Sequence, residues 1–427
     1  MNKLVIWKDS PRRRPLILTG ARQVGKTYSA LTFGKEYYTN TVYFSMEDSR
    51  DVQAIFERDL NPGRIIRELS AQSQQSIYPG DTLVIFDEIQ SCERALTSLK
   101  YFCETAPEYH IIAAGSLLGV AMNRERYSFP VGKVDMLTLY PLDFEEFLMA
   151  NGNESLVGLI RESFSGFSPL SLHGMAMDLY KTYLVVGGMP QAVIEYTVTK
   201  DFNFVLAAQK TINDAYIADM AKYASPQETT KIMAAWASIP AQLSKENRKF
   251  QYTVIKSGAR AYEYETPLDW LKFAGIVNKC VRVTEGKMPL AAYADNNSFK
   301  VYMMDTGLLC SKFGIAPNVI LTDEVTFDGF KGALAENYIC QALTANGFLP
   351  YYWGSPGKAE LDFVFQDSQG NIIPLEGKSA DNVQSKSLKQ YISLHKQPYS
   401  VRVSAKNFGY ENDIKSIPLY ALFCLTP

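Results

Sequence analysis

Lys26 and Thr27 close the string GARQVGKT, residues 20–27, in which a glycine, four further residues and a second glycine lead into a lysine and a hydroxyl. That spacing is the G-x-x-x-x-G-K-[ST] pattern of a phosphate-binding loop, and its chemistry needs those residue types. Gly20 and Gly25 let the backbone bend so that successive N–H groups face phosphate oxygens. The Lys26 ammonium can reach the β- and γ-phosphates, and the Thr27 hydroxyl can ligate magnesium. Nucleotide contacts are therefore expected from Gly20, Ala21, Arg22, Gln23, Val24, Gly25, Lys26, Thr27 and Tyr28. In a second string, DTLVIFDEIQ (residues 81–90), an apolar run ends in two carboxylates. Asp87 is expected to share magnesium with Thr27, and Glu88 to orient and deprotonate an attacking water. Ser116, in the third string YHIIAAGSLLG, is placed to sense the γ-phosphate, so Glu88, Lys26 and Ser116 form the expected catalytic set.

The implied ligand is ATP with Mg2+. The guanine-selecting N-K-x-D pattern is absent, because NKCV at Asn278 lacks the aspartate. An acidic pair suits activation of water better than transfer to an acceptor hydroxyl. Arg124 and Arg126, just past the third string, are candidates to complete a neighbouring subunit's site in a homo-oligomer.

Elements must bring these residues together. Leu16–Leu18, Leu83–Phe86 and Ile111–Ala113 are short continuous apolar runs, the mark of parallel strands buried on both faces, and TVYFSMED (residues 41–48) reads as another strand. A helix is expected from Lys26, with its positive dipole end at the phosphates. In a doubly wound sheet, ligands lie at the carboxyl ends of the strands, so all three strings open on one crevice.

The bounds agree. A length of 427 residues suggests about two to four domains. The net charge of -2 gives no global positive field for nucleic acid, and no apolar run approaches the roughly 18 residues that cross a bilayer. The N-terminus shows no signal-peptide pattern. Six scattered cysteines without a C-x-x-C pair argue for free thiols and a cytoplasmic location. The isolated His110, His173 and His395 read as core or surface residues.

Residues 154–222 have a helical pattern broken at VVGGMPQ, and are expected to form a lid. Ile232, Trp236, Ile239 and Leu243 mark one helical face. Two further helical stretches follow, then two short strands around a turn at Glu285-Gly286-Lys287, the order of a winged helix. Arg248, Lys249, Lys256 and Arg260 would supply positive charge for DNA.

Further on, GALAENYICQAL reads as an amphipathic helix carrying Glu336, and AELDFVF and IIPLEGKS as a β-hairpin. A turn centred near Gln369 sets Asp362 across from Glu376, and alternation puts Lys378 on the same face. Asp362, Glu376 and Lys378, with Glu336 beside them, make the D…E-x-K arrangement of metal-assisted phosphodiester hydrolysis. Gly377 interrupts it with a residue that weakens strands or marks a bulge.

With PLILTGARQVGKT, LVIFDEIQ and IIAAGSLLG, the strings FPVGKVDMLTLYPLDFEEFL, YLVVGGMPQAV, KVYMMDTGLL and FKGALAENYI resemble bacterial and archaeal AAA+-type ATPases that carry a C-terminal DUF4143 region. The resemblance implies an α/β fold. Residues 1–150 would be a P-loop ATPase domain with a mostly parallel doubly wound sheet, and 151–225 a helical lid. Residues 226–318 would be a winged-helix-like module and 319–427 an α/β domain like the PD-(D/E)XK nucleases. Two functions then compete. One is an ATP-driven machine that binds or processes DNA. The other is a nucleotide-controlled switch that binds a protein partner, with an inactive nuclease-like end.

Overall fold

The computed structural model describes residues 1–115, 129–245, 248–322, 328–355, 359–379 and 386–427. They form two compact units, Met1–Tyr140 with Phe273–Gly275, and Pro141–Lys272 with Ile276–Pro427.

In the first unit, β1 (Leu16–Thr19), β2 (Asn40–Ser45), β3 (Thr82–Asp87), β4 (His110–Ala114) and β5 (Asp135–Thr138) form one sheet in the order β2-β3-β4-β1-β5. Every neighbouring pair is parallel. Alternation along the strands divides the core in two. Leu16, Leu18, Leu83, Ile85, Ile112 and Ala114 face one side, where α1 (Asn2–Asp9) and α2 (Lys26–Tyr37) add Leu4, Trp7, Ala30 and Phe33. Ile17, Val84, Phe86, Ile111 and Ala113 face the other. There α3 (Arg50–Arg58), α4 (Pro62–Ser73) and α5 (Glu93–Thr105) add Val52, Phe56, Ile65, Leu69, Leu99 and Phe102. Burial on both faces is why the strands read as unbroken apolar runs.

The second unit begins with helices α6 (Phe144–Ala150), α7 (Glu154–Gly166), α8 (His173–Val186), α9 (Pro190–Thr199) and α10 (Phe202–Tyr223). The break in VVGGMPQ falls between α8 and α9, where Gly187 has φ 72° and Pro190 opens the next helix. Next come α11 (Pro226–Leu243), α12 (Tyr252–Ile255) and α13 (Ala261–Phe273). Ile232, Trp236, Ile239 and Leu243 are all buried, as their spacing predicts.

The strands after these helices differ from the expectation. β6 (Val277–Val283) pairs antiparallel with β7 (Ala294–Met303), so the connection is longer than a tight turn at Glu285-Gly286-Lys287 and contains a 3₁₀ segment at Leu290–Tyr293. These two strands are also one end of a larger sheet. With β8 (Tyr351–Gly354), β9 (Glu360–Gln366), β10 (Ile372–Gly377), β11 (Ser400–Ser404), β12 (Gly409–Glu411) and β13 (Ile414–Pro418) they make the order β12-β13-β11-β10-β9-β8-β6-β7.

Between β7 and β8 run α14 (Thr306–Phe313), α15 (Pro317–Leu321) and α16 (Asp328–Ala345), and α17 (Lys386–Leu394) joins β10 to β11. α16 packs on β6, β7 and β10 and against the 3₁₀ segment Leu419–Cys424. Residues 333–343 are therefore buried all round, and the helix is not amphipathic as its sequence suggested. The six cysteines are all free. Among the described residues no helix is long and apolar enough to cross a membrane.

Candidate functional site

The loop after β1 curls by means of three residues with positive φ: Gly20 (140°), Gln23 (64°) and Gly25 (91°), the last being the N-cap of α2. A Cβ on Gly20 would overlap the Leu139 carbonyl, so that position also needs a glycine for space. Ala21 and Val24 are buried and anchor the loop, whereas Gln23 and Tyr28 are less covered and Arg22 is half-buried. Lys26 stands at the first turn of α2, its Nζ donating to the carbonyls of Gly20 (3.1 Å) and Ala21 (2.8 Å).

Asp87, at the carboxyl end of β3, is 6% exposed. Its Oδ2 accepts from the Thr27 hydroxyl at 2.7 Å, which joins the two sequence motifs across 60 residues. It also accepts from the Tyr43 hydroxyl at 3.0 Å. Tyr43, on β2, was not singled out from sequence. Burial raises its pKa, and the Asp87 charge adds to the rise, so the phenol stays a donor. The available signal was alternation, since Val42 and Phe44 point into the core and Tyr43 does not.

Glu88 leaves β3 with φ 48° and caps a 3₁₀ turn, Ile89–Ser91. Its carboxylate accepts from the Gln90 carboxamide, another partner that sequence reading missed. β4 lies between β3 and β1, so its end at Gly115 falls between the two motifs. Ser116, Arg124 and Arg126 lie outside the described residues.

The second acidic group lies wholly in the second unit. β9 and β10 pair with Leu375 opposite Phe363, the register that sets Glu376 opposite Asp362 as expected. No bulge occurs at Gly377, which pairs in step with Val403 and donates its N–H to Asp362 Oδ2 at 2.8 Å. A Cβ there would overlap Ile339 of α16, so the glycine serves close packing of helix on sheet. Lys378 Nζ lies 2.7 Å from Glu376 Oε1. Burial acts against the Lys378 charge, but the hydrogen bond and charge of Glu376 outweigh it and raise the pKa.

Glu336 is buried and already engaged. Its carboxylate accepts from the Arg248 guanidinium and from the Tyr302 hydroxyl (3.0 Å), with Lys300 Nζ at 3.6 Å. Lys300 is 1% exposed, lies 2.6 Å from Glu360 and sits over the Tyr352 ring. Arg248 therefore turns inward to Glu336 and is not displayed as surface charge for DNA. Among the described residues no group of three or more His, Cys, Asp or Glu could hold a metal.

Three family models match the chain: an AAA domain over residues 12–148, a domain of unknown function (DUF8612) over 177–318, and a domain of unknown function (DUF4143) over 331–422. No curated protein matches. Among solved structures, the chain is similar to a Walker-type ATPase of Pyrococcus abyssi. The two are 15% identical over 73% of this chain and 95% of that one, with a TM-score of 0.46. It is also similar to the ORC2 protein of Aeropyrum pernix, at 13% identity over 78% and 90% of the two chains and a TM-score of 0.34. The RuvB Holliday junction branch migration motor of Thermotoga maritima is 15% identical over 65% and 87%, with a TM-score of 0.31. By these family models, residues 12–148 are an AAA domain, joined in one chain to a C-terminal DUF4143 region.

Proposed function

We propose that the chain is a magnesium-dependent ATPase whose hydrolytic site is the crevice at the carboxyl ends of β1, β3 and β4. The observation that carries this reading is the 2.7 Å hydrogen bond between Thr27 and Asp87, which joins the two motifs at the carboxyl ends of the strands. A hydroxyl and a carboxylate at one point fit magnesium, a hard cation that takes one or two protein oxygens and completes its shell with phosphate and water. When bound, the ion would neutralise charge on the β- and γ-phosphate oxygens. The curled loop offers its N–H groups to the phosphates, and Lys26 exchanges the loop carbonyls for β- and γ-oxygens. Glu88 takes a proton from water as the water oxygen bonds to the γ-phosphorus. The bond from that phosphorus to the β–γ bridging oxygen breaks, leaving ADP and phosphate.

For the C-terminal end, the switch reading is favoured over cutting. Arg248 and Lys300 neutralise Glu336, and Lys378 neutralises Glu376, so these two carboxylates serve internal cations, while Asp362 accepts from the Gly377 N–H. The proposed role of residues 319–427 is therefore a nuclease-like fold used for binding.

The test is phosphate release from ATP with Mg2+, with and without duplex DNA, for the intact protein, Lys26→Ala and Glu88→Gln. Turnover lost in both variants, with nucleotide still bound by Glu88→Gln, is expected. Clean folded protein that neither binds nor hydrolyses ATP would sink the reading. Stimulation by DNA would name DNA as the partner, and indifference to it would leave a protein.

A further inference from the structure

Gln90 is 5% exposed, and its carboxamide bridges two parts of the crevice. Its Nε2 donates to Glu88 Oε2, and its Oε1 lies against Gly115, at the end of β4. The turn makes this bridge possible: Glu88 takes left-handed backbone angles and the 3₁₀ segment Ile89–Ser91 follows. Gly115 leaves room for it, because a Cβ there would overlap Gln90 Oε1 and press on Ile89 Cγ2. Gly115 itself has no positive φ, so its glycine is needed for that space and not for backbone shape.

Stability does not account for this arrangement. Gln90 Oε1 is buried without a hydrogen-bond partner among the described residues, which disfavours the fold, and an apolar side chain of the same length would fill the space without that penalty. We infer that Gln90 is a positioning residue, whose amide donates to the Glu88 carboxylate and holds it in register with the end of β4. The fixed carboxylate then takes one proton from the attacking water in a constant direction, and this aims the water oxygen at the γ-phosphorus. The inference rests on the ATPase reading above and adds to it a residue that acts through Glu88.

The experiment compares wild type with Gln90→Met, which keeps length and loses both polar atoms, and Gly115→Ala, which leaves Gln90 in place and removes its room. For each protein, kcat, the dissociation constant of a fluorescent ATP analogue and the thermal midpoint are measured. The expected result is kcat lowered by at least about tenfold in both variants, with nucleotide affinity within about twofold and the midpoint of Gln90→Met unchanged or raised. Gln90→Met with wild-type kcat overturns the inference. So does a fall in affinity and midpoint that tracks the fall in kcat, since that marks a structural role. Absence of turnover in wild type, equal to Lys26→Ala, overturns the ATPase reading and this inference with it.

Discussion

Asp87 shows how a single side chain is prepared for work. A buried carboxylate needs partners, and here they include two hydroxyl donors from different elements, Thr27 and Tyr43, and the Glu88 N–H. Tyr43→Phe removes one hydrogen bond to a charged group, about 1.5–3 kcal/mol, and is expected to lower kcat by roughly two- to tenfold in a phosphate-release assay. His110 illustrates the opposite case, a titratable residue kept neutral. Burial pushes its pKa down to about 4, with the charges of Arg13 and Lys8 adding to the effect, and its ring pairs with the Tyr38 hydroxyl at 2.8 Å. The unfolded chain takes up a proton near pH 6.5 that the folded one refuses until about pH 4. Stability is therefore full above pH 6.5 and falls as pH drops toward 4, by up to about 3 kcal/mol from this residue. Urea titrations at about pH 7 and about pH 5 should show the loss, and His110→Phe should flatten it.

At the scale of elements, α16 lies close on β10 in the second unit. Gly377 lets Ile339 lie directly on the strand, and its unbroken pairing keeps Glu376 and Lys378 on one face. Gly377→Val should cost about 1–3 kcal/mol by chemical denaturation, because overpacking forces either the helix or the strand to move. An unchanged midpoint would mean that the contact yields more easily than its geometry suggests. α11 is held differently. Ser225 and Glu228 form a capping box at its start, and its apolar stripe is buried, so its local signals and its packing agree.

At the scale of the whole molecule, each unit has its own chemistry. The first buries a parallel sheet and keeps polar groups at its carboxyl edge. The second buries an ion network in its interior, with Arg248 (φ 49°), Lys300, Glu336 and Glu360 drawn from separate segments. Removing Arg248 leaves Glu336 to Lys300 and the Tyr302 hydroxyl, so Arg248→Met alone should destabilise the protein by about 1–3 kcal/mol. Arg248→Met combined with Glu336→Met should recover much of that loss. A double-mutant cycle with no coupling would show that the pair is dispensable.

The curled loop after β1 and the acidic pair at the end of β3 were legible in the sequence because their signals are local: glycine spacing, an adjacent lysine and hydroxyl, and apolar runs that end in charge. The register of β9 with β10 was legible too, since a side-chain period of two and a polar turn leave one pairing that buries the apolar face. Tertiary structure alone decided the partners. Tyr43 on Asp87, Gln90 against Gly115, and Arg248 and Lys300 on Glu336 are meetings between elements that no spacing records. The same holds for α16. Periodicity reports which residues are apolar, but whether a helix is covered on one side or on all sides depends on what the rest of the chain packs against it.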